Sequence, residues 1–169
     1  MTKPSQPILV AILEKTVFLK ISGRASFNSS VEFKNIVTEL LARGYQHFVL
    51  DLADCLTMDS TFLGVLAGIV LRMEEQSGPK PRLELLNPNA RIVDLLENLG
   101  VGHLFKVLNE ENPCTNLFQP ASSSQPAPSK VEISRTCLEA HQILMAVNPA
   151  NIPKFKEVTQ FLMEDLKAL

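Results

Sequence analysis

Asp51-Leu52-Ala53-Asp54-Cys55-Leu56-Thr57-Met58-Asp59-Ser60-Thr61-Phe62-Leu63-Gly64 links two apolar runs. Ahead of it, His47 to Leu50 reads as a buried strand; behind it, Phe62 to Leu71 reads as a helix. A hydroxyl, Ser60, therefore falls where a loop turns into a helix. First-turn N–H groups lack intrahelical partners, and the helix dipole is positive at that end. Such a place favours an added anion. The plain alternative for Ser60 is a capping hydroxyl. We read it instead as a switch residue that accepts a phosphate. The modification adds about −1.5 to −2 charge at neutral pH. The helix start tolerates that charge, whereas a partner surface built for a neutral hydroxyl does not.

Working outward, Ile8 to Leu13 and Thr16 to Ile21 are β-branched runs separated by Glu14-Lys15, which predicts a hairpin. Gly23 ends the second run. Ser29 or Ser30 offers a cap before Val31, Phe33, Ile36, Val37, Leu40 and Leu41, whose spacing is helical, and Gly44 closes that helix. Phe48 to Leu52 is the next strand, Thr61 to Glu75 a helix stopped by Gly78-Pro79, and Leu83 to Leu86 a strand. Asn89 to Leu99 is a helix closed by Gly100, and Leu104 to Leu108 a last short strand. Strands alternating with helices imply parallel pairing, and the opening hairpin makes the sheet mixed. The expected fold is α/β, a mixed sheet of about five strands with packed helices.

From Asn109 to Ser129 the composition shifts. Pro113, Pro120, Pro126 and Pro128 mix with Ser122, Ser123 and Ser124, which reads as an extended, mobile linker. Two amphipathic helices follow, Val131 to Ala146 and Ile152 to Leu169, joined at Asn148-Pro149 as a helical hairpin. Asn151 is placed to cap the second, with Pro153 in its first turn. One stripe is Cys137, Leu138, His141, Leu144 and Met145; the other is Phe155, Val158, Phe161, Leu162 and Leu166. So small a block holds little core alone. It is expected to pack on the first domain, on a second copy as a homodimer, or on a partner.

The chain has 169 residues, 46% of them apolar, and a net charge of −2. That suffices for a core and offers no general basic field for nucleic acid. Cys55, Cys114 and Cys137 form no CxxC pair, which argues for a reducing compartment and against a disulfide framework or a zinc site. Met1 to Gln6 is polar and lacks the apolar core of a signal peptide. Phe62 to Leu71 is too short to span a bilayer, which takes about 20 residues. The expectation is a cytoplasmic protein without membrane insertion.

The order of elements, and above all Met58-Asp59-Ser60-Thr61-Phe62-Leu63-Gly64-Val65-Leu66, resembles the STAS domain. That family includes the anti-sigma-factor antagonists and the cytoplasmic domains of sulfate transporters. The likeness covers Pro7 to about Leu108: an Asp-Ser pair, a second hydroxyl residue, then Leu-Gly-x-Leu in the helix. Asp51 falls where such proteins place an acidic residue. The resemblance implies a STAS-like domain over 7–108, a linker over 109–129 and a helical extension over 130–169. It also implies that Ser60 is the phosphoacceptor of an anti-sigma factor with serine kinase activity. Asp59, Ser60, Thr61, Phe62 and Gly64 would form the partner-binding surface. Unmodified, such a protein holds the anti-sigma factor and frees a sigma factor; phosphorylated, it lets go, and a serine phosphatase resets it. An alternative within the family is a scaffold subunit of a stress-signalling or lipid-transport assembly.

Other features have plainer readings. Thr61 is a first-turn residue before it is a second acceptor. Asp51, Asp54 and Asp59 could hold a metal or form an enzyme's acidic edge, but turn and capping chemistry explains them. No base, nucleophile and oxyanion group converge, so neither enzymatic activity nor a cofactor is expected. Cys55 reads as a small core residue. His47, His103 and His141 are scattered, and His141 lies on an apolar stripe, which places it partly buried. Gly100-Val101-Gly102 lacks the Lys and Ser/Thr of a phosphate loop. The helix from Thr61 is apolar nearly all round and needs cover on more than one side. Its strip of small residues, Gly64, Ala67 and Gly68, is read as packing onto the sheet.

Overall fold

The computed structural model describes residues 7–168. The polar lead Met1 to Gln6 and the last residue of the expected final helix, Leu169, lie outside the described residues. Strands β1 (Leu9–Leu13) and β2 (Thr16–Lys20) form the expected hairpin, with Glu14 at φ 57° in its turn. A short β3 (Gly23–Ala25) leads into helix α1 (Phe27–Ala42). Then come β4 (His47–Asp51), a short β5 (Cys55–Met58), α2 (Ser60–Glu74), β6 (Arg82–Leu86), α3 (Ala90–Asn98) and β7 (Lys106–Leu108). A two-residue β8 (Gln119–Pro120) precedes α4 (Lys130–Val147) and α5 (Ile152–Lys167).

The main sheet runs β7-β6-β4-β2-β1-β8. β2, β4, β6 and β7 are parallel to one another, while β1 is antiparallel to both β2 and β8. The five anticipated strands are thus contiguous, with β8 added at one edge. β3 and β5, too short to read from periodicity, pair in parallel as a separate ribbon. Phe33, Phe48, Leu50, Phe62, Leu66 and Leu85, all buried, belong to the main core formed between sheet and helices. Each large side chain so buried contributes about 1.5–3 kcal/mol.

Several local expectations change. The cap of α1 is Ser26, and Ser29 and Ser30 lie inside the helix; the Ser29 Oγ bonds back to Ser26 and the Ser30 Oγ donates to the Phe27 carbonyl. The segment read as an extended linker is held down along much of its length. Cys114 and Phe118 pack with Ala11, Phe18, Val49 and Leu86 on a second apolar patch. The Asn112 amide donates to Asp51 Oδ2 at 2.7 Å, the Ala121 N–H donates to the Ile8 carbonyl at 2.7 Å, and the Ser124 N–H donates to Glu39 at 2.8 Å. Apolar residues among the prolines, which composition averages away, supply this anchorage.

The helical hairpin is present. Ser129 caps α4, accepting from the Glu132 N–H. α4 lies along α2 and α1, and α5 folds back on α4. The inward face of α5 is rotated from the stripe expected: Thr159 and Leu162 are buried, while Phe161 is 66% exposed and Val158 also faces out. Asn151 does not cap α5 with its side chain. It is fully buried, and its amide donates to the carbonyls of Leu99 (2.9 Å) and Leu144 (2.8 Å), tying the hairpin to the end of α3. Asn148 also reaches Leu99, and the Asn148 N–H also serves Leu144. Asn151→Ala is therefore expected to cost about 1–2 kcal/mol rather than the full penalty for two orphaned carbonyls, read as a lowered midpoint in urea denaturation.

Candidate functional site

The site is built where the β3–β5 ribbon hands the chain to α2. Ala25 pairs with Met58, and the Asp59 N–H donates to the Ala25 carbonyl at 2.9 Å. Asp59, with extended backbone, is the cap of α2: its Oδ1 accepts from the Phe62 N–H at 2.8 Å. Its other oxygen accepts from the Phe27 N–H, the first of α1, also at 2.8 Å. One carboxylate thus fastens the starts of two helices, as the orphan N–H groups and the positive dipole ends favour.

Because Asp59 does the capping, Ser60 is the first helical residue and its hydroxyl is free for another use. It meets His141 of α4, with Oγ and Nε2 2.8 Å apart. The other ring nitrogen, Nδ1, lies 2.7 Å from the Cys137 carbonyl. A carbonyl only accepts, so Nδ1 carries a proton. In the neutral ring Nε2 is then the acceptor, and Ser60 donates to it. His141 is 4% exposed, with its ring edge-on to Phe155 at 4.8 Å between centroids. Next along α2, the Thr61 Oγ1 lies 3.2 Å from the Cys137 Sγ. Burial pushes the Cys137 thiol pKa up; the Thr61 hydrogen bond opposes this and the Asp59 charge adds to it.

The crossing of α2 and α4 is close because Gly64 permits it. A Cβ there would stand 2.4 Å from the Ala140 carbonyl oxygen, and one at Gly68 would stand 2.8 Å from the Ile143 Cδ1. The small strip of α2 therefore faces α4, not the sheet as its composition suggested. Every residue from Thr61 to Val70 is buried. Leu56 of β5 and Phe27 at the start of α1 are exposed.

A STAS domain model matches residues 7–113. The chain belongs to the STAS family. No curated protein matches the sequence. Among solved structures, this STAS chain is similar to the anti-sigma factor antagonist SpoIIAA in its unphosphorylated form: 17% identity over 62% of this chain and 89% of that one, TM-score 0.53. The phosphorylated form of the Bacillus protein gives 18% identity over 62% and 92%, TM-score 0.50. An anti-sigma factor antagonist from Mycobacterium paratuberculosis gives 16% identity over 62% and 90%, TM-score 0.51. These likenesses support the STAS fold, and each covers most of the neighbour but under two thirds of this longer chain.

Of the STAS residues singled out from sequence, Asp59, Ser60, Thr61 and Gly64 lie together along the first turns of α2. Phe62 points the other way: it is wholly buried, its ring 5.1 Å from that of Phe33. The three acidic residues have separate tasks. Asp51 is buried, accepting from the Ala53 N–H and the Asn112 amide; Asp54 pairs with Lys20 at 2.8 Å; Asp59 caps. Cys55 is a core residue whose thiol donates to the Thr57 carbonyl at 3.3 Å. Sequence reasoning missed the involvement of His141 and Cys137. The signal was there in part: a polar ring on an otherwise apolar stripe, once buried, requires a hydrogen-bond partner.

Proposed function

We propose that this protein is a non-enzymatic, cytoplasmic binding module of the anti-sigma-factor-antagonist kind, switched at Ser60. Unmodified, it holds an anti-sigma factor with serine kinase activity; phosphorylated on Ser60, it releases it, and a serine phosphatase restores the hydroxyl. The observation that carries this reading is the hydroxyl's position. Ser60 opens α2 yet takes no part in capping, so charge placed on it bears on whatever docks against α2 and not on the capped start of that helix. Phe27, whose N–H is held by the same Asp59 carboxylate, is exposed and adds apolar area near this turn, as a docking surface requires. Solved SpoIIAA structures in unphosphorylated and phosphorylated forms make such a switch a natural reading for a related fold.

The test uses the purified 169-residue chain and the serine-kinase-type anti-sigma factor of the same genome, titrated calorimetrically. Wild type is expected to bind, and Ser60→Glu at least about tenfold more weakly, a difference of about 1.4 kcal/mol. The melting temperature of the STAS core should hold. Equal affinities for the two forms would contradict the switch.

A further inference from the structure

The Ser60 hydroxyl already has a protein docked on it, and that protein is the chain itself. α4 supplies His141 to Ser60, Cys137 to Thr61, and the Ala140 backbone to the glycine gap at Gly64. We propose that the α4–α5 hairpin is an intramolecular gate on Ser60: docked, it occupies the helix seat on α2 and shields the hydroxyl; swung away, it opens both to a partner. This rests on the reading of Ser60 as the switch and names what regulates it.

Three observations converge on a removable cover. First, the Ser60 Oγ and the His141 Nε2 stand 2.8 Å apart, which leaves no space for a phosphate between them. The Ser60 proton is committed to Nε2 of a ring whose opposite nitrogen is held by the Cys137 carbonyl, so a bulky dianion at Ser60 must displace the ring. Second, the seat is shaped for a helix: Gly64 and Gly68 let a backbone approach, and what they meet is one turn of α4 around Ala140 and Ile143. A protein partner for the vacated seat is therefore a helix with a small residue at the crossing. Third, α4 is joined to the sheet through residues 109–129, whose anchors at Asn112, Cys114, Ala121 and Ser124 all lie before α4 begins. The hairpin can leave α2 while β8 stays paired with β1.

The gate acts on modification as well as on binding. In phosphorylation the Ser60 Oγ attacks the terminal phosphorus of a nucleoside triphosphate held by the kinase. The Oγ–P bond forms, the bond to the bridging oxygen breaks, the diphosphate leaves, and the hydroxyl proton passes to a kinase base. With α4 docked, the approach to that oxygen is covered by the His141 ring. The closed form is thus refractory, and a phosphate once added holds the gate open. For a partner that needs the open form, apparent affinity is the intrinsic affinity scaled by the open fraction.

Hydrogen exchange on the full chain tests this without any partner. Ala140→Leu thickens α4 at the crossing and leaves the seat on α2 untouched; Gly64→Ala fills the gap from the other side; Ser60→Glu adds charge. In each, amides of α4 and α5 are expected to exchange at least tenfold faster, while β1, β2, β4 and β6 keep their protection. Labelling of Cys137 by a thiol reagent, located by peptide mass, should quicken in step, because leaving the α2 contact lowers its raised thiol pKa. Unchanged protection of α4 in Gly64→Ala and Ser60→Glu overturns the gate. So does protection lost throughout the sheet, since the hairpin would then be an integral part of the fold. An Ala140→Leu chain that opens the hairpin but binds no anti-sigma factor supports the gate and removes the switch reading, because its seat on α2 and its Ser60 are intact, so the two fail separately.

Discussion

Replacing Phe62 by alanine is expected to lower the stability of the chain by about 3–5 kcal/mol. Phe62 stands two residues from the proposed phosphoacceptor, and the family resemblance groups it with the partner-binding residues. Its side chain is nevertheless wholly buried, tilted 48° against Phe33 in the main core beneath α2. Truncation leaves a ring-sized void between α1 and α2, and aromatic contacts contribute beyond their area. Phe62→Leu, which keeps most of the volume, should cost less than about 1.5 kcal/mol. Equilibrium unfolding in urea with unchanged m-value distinguishes the two variants. A loss below about 1 kcal/mol for Phe62→Ala would mean that α2 is rotated, with Phe62 on its outer face. Ser60 would then not face α4, and both the switch and the gate would lose their geometry.

The frame of the molecule was legible because its signals are local. β1, β2, β4 and β6 are short β-branched or apolar runs, and α1 to α3 show helical spacing closed by Gly44 and Gly100, which take positive φ. The start of α2 was legible to within one residue. That residue matters: Asp59, the better-placed carboxylate, takes the cap and leaves Ser60 free. What could not be read is what depends on how distant pieces meet. Ser60 and His141 are 81 positions apart, and their pairing follows from the direction in which the hairpin folds back. The same folding back turns Phe161 outward and draws Asn151, a plausible cap by type, into the interior to bind Leu99 and Leu144. Small residues on α2 signalled a close approach correctly but carried no label for the partner. Only the coordinates of Ala140 show that it is α4.

Removal of the Asp59 carboxylate should give the other large loss, about 2–5 kcal/mol for Asp59→Ala. A helix cap exchanged for alanine costs about 0.5–2 kcal/mol, and a hydrogen bond to a charged group contributes about 1.5–3 kcal/mol. Asp59 makes both, to Phe62 of α2 and Phe27 of α1, each at 2.8 Å. Asp59→Asn separates the two. Its single oxygen can keep the cap of α2, at which asparagine is as good as aspartate. Its amide then turns a donor toward the Phe27 N–H, so that bond is lost. The expected order is wild type, then Asn at about half the full loss, then Ala, read from urea midpoints. If Asn and Ala prove equally damaging, the charge and not the capping oxygen holds the ribbon and the two helix starts together. If neither variant loses stability, Asp59 is not what frees the Ser60 hydroxyl, and the reason for its reaching His141 must lie elsewhere.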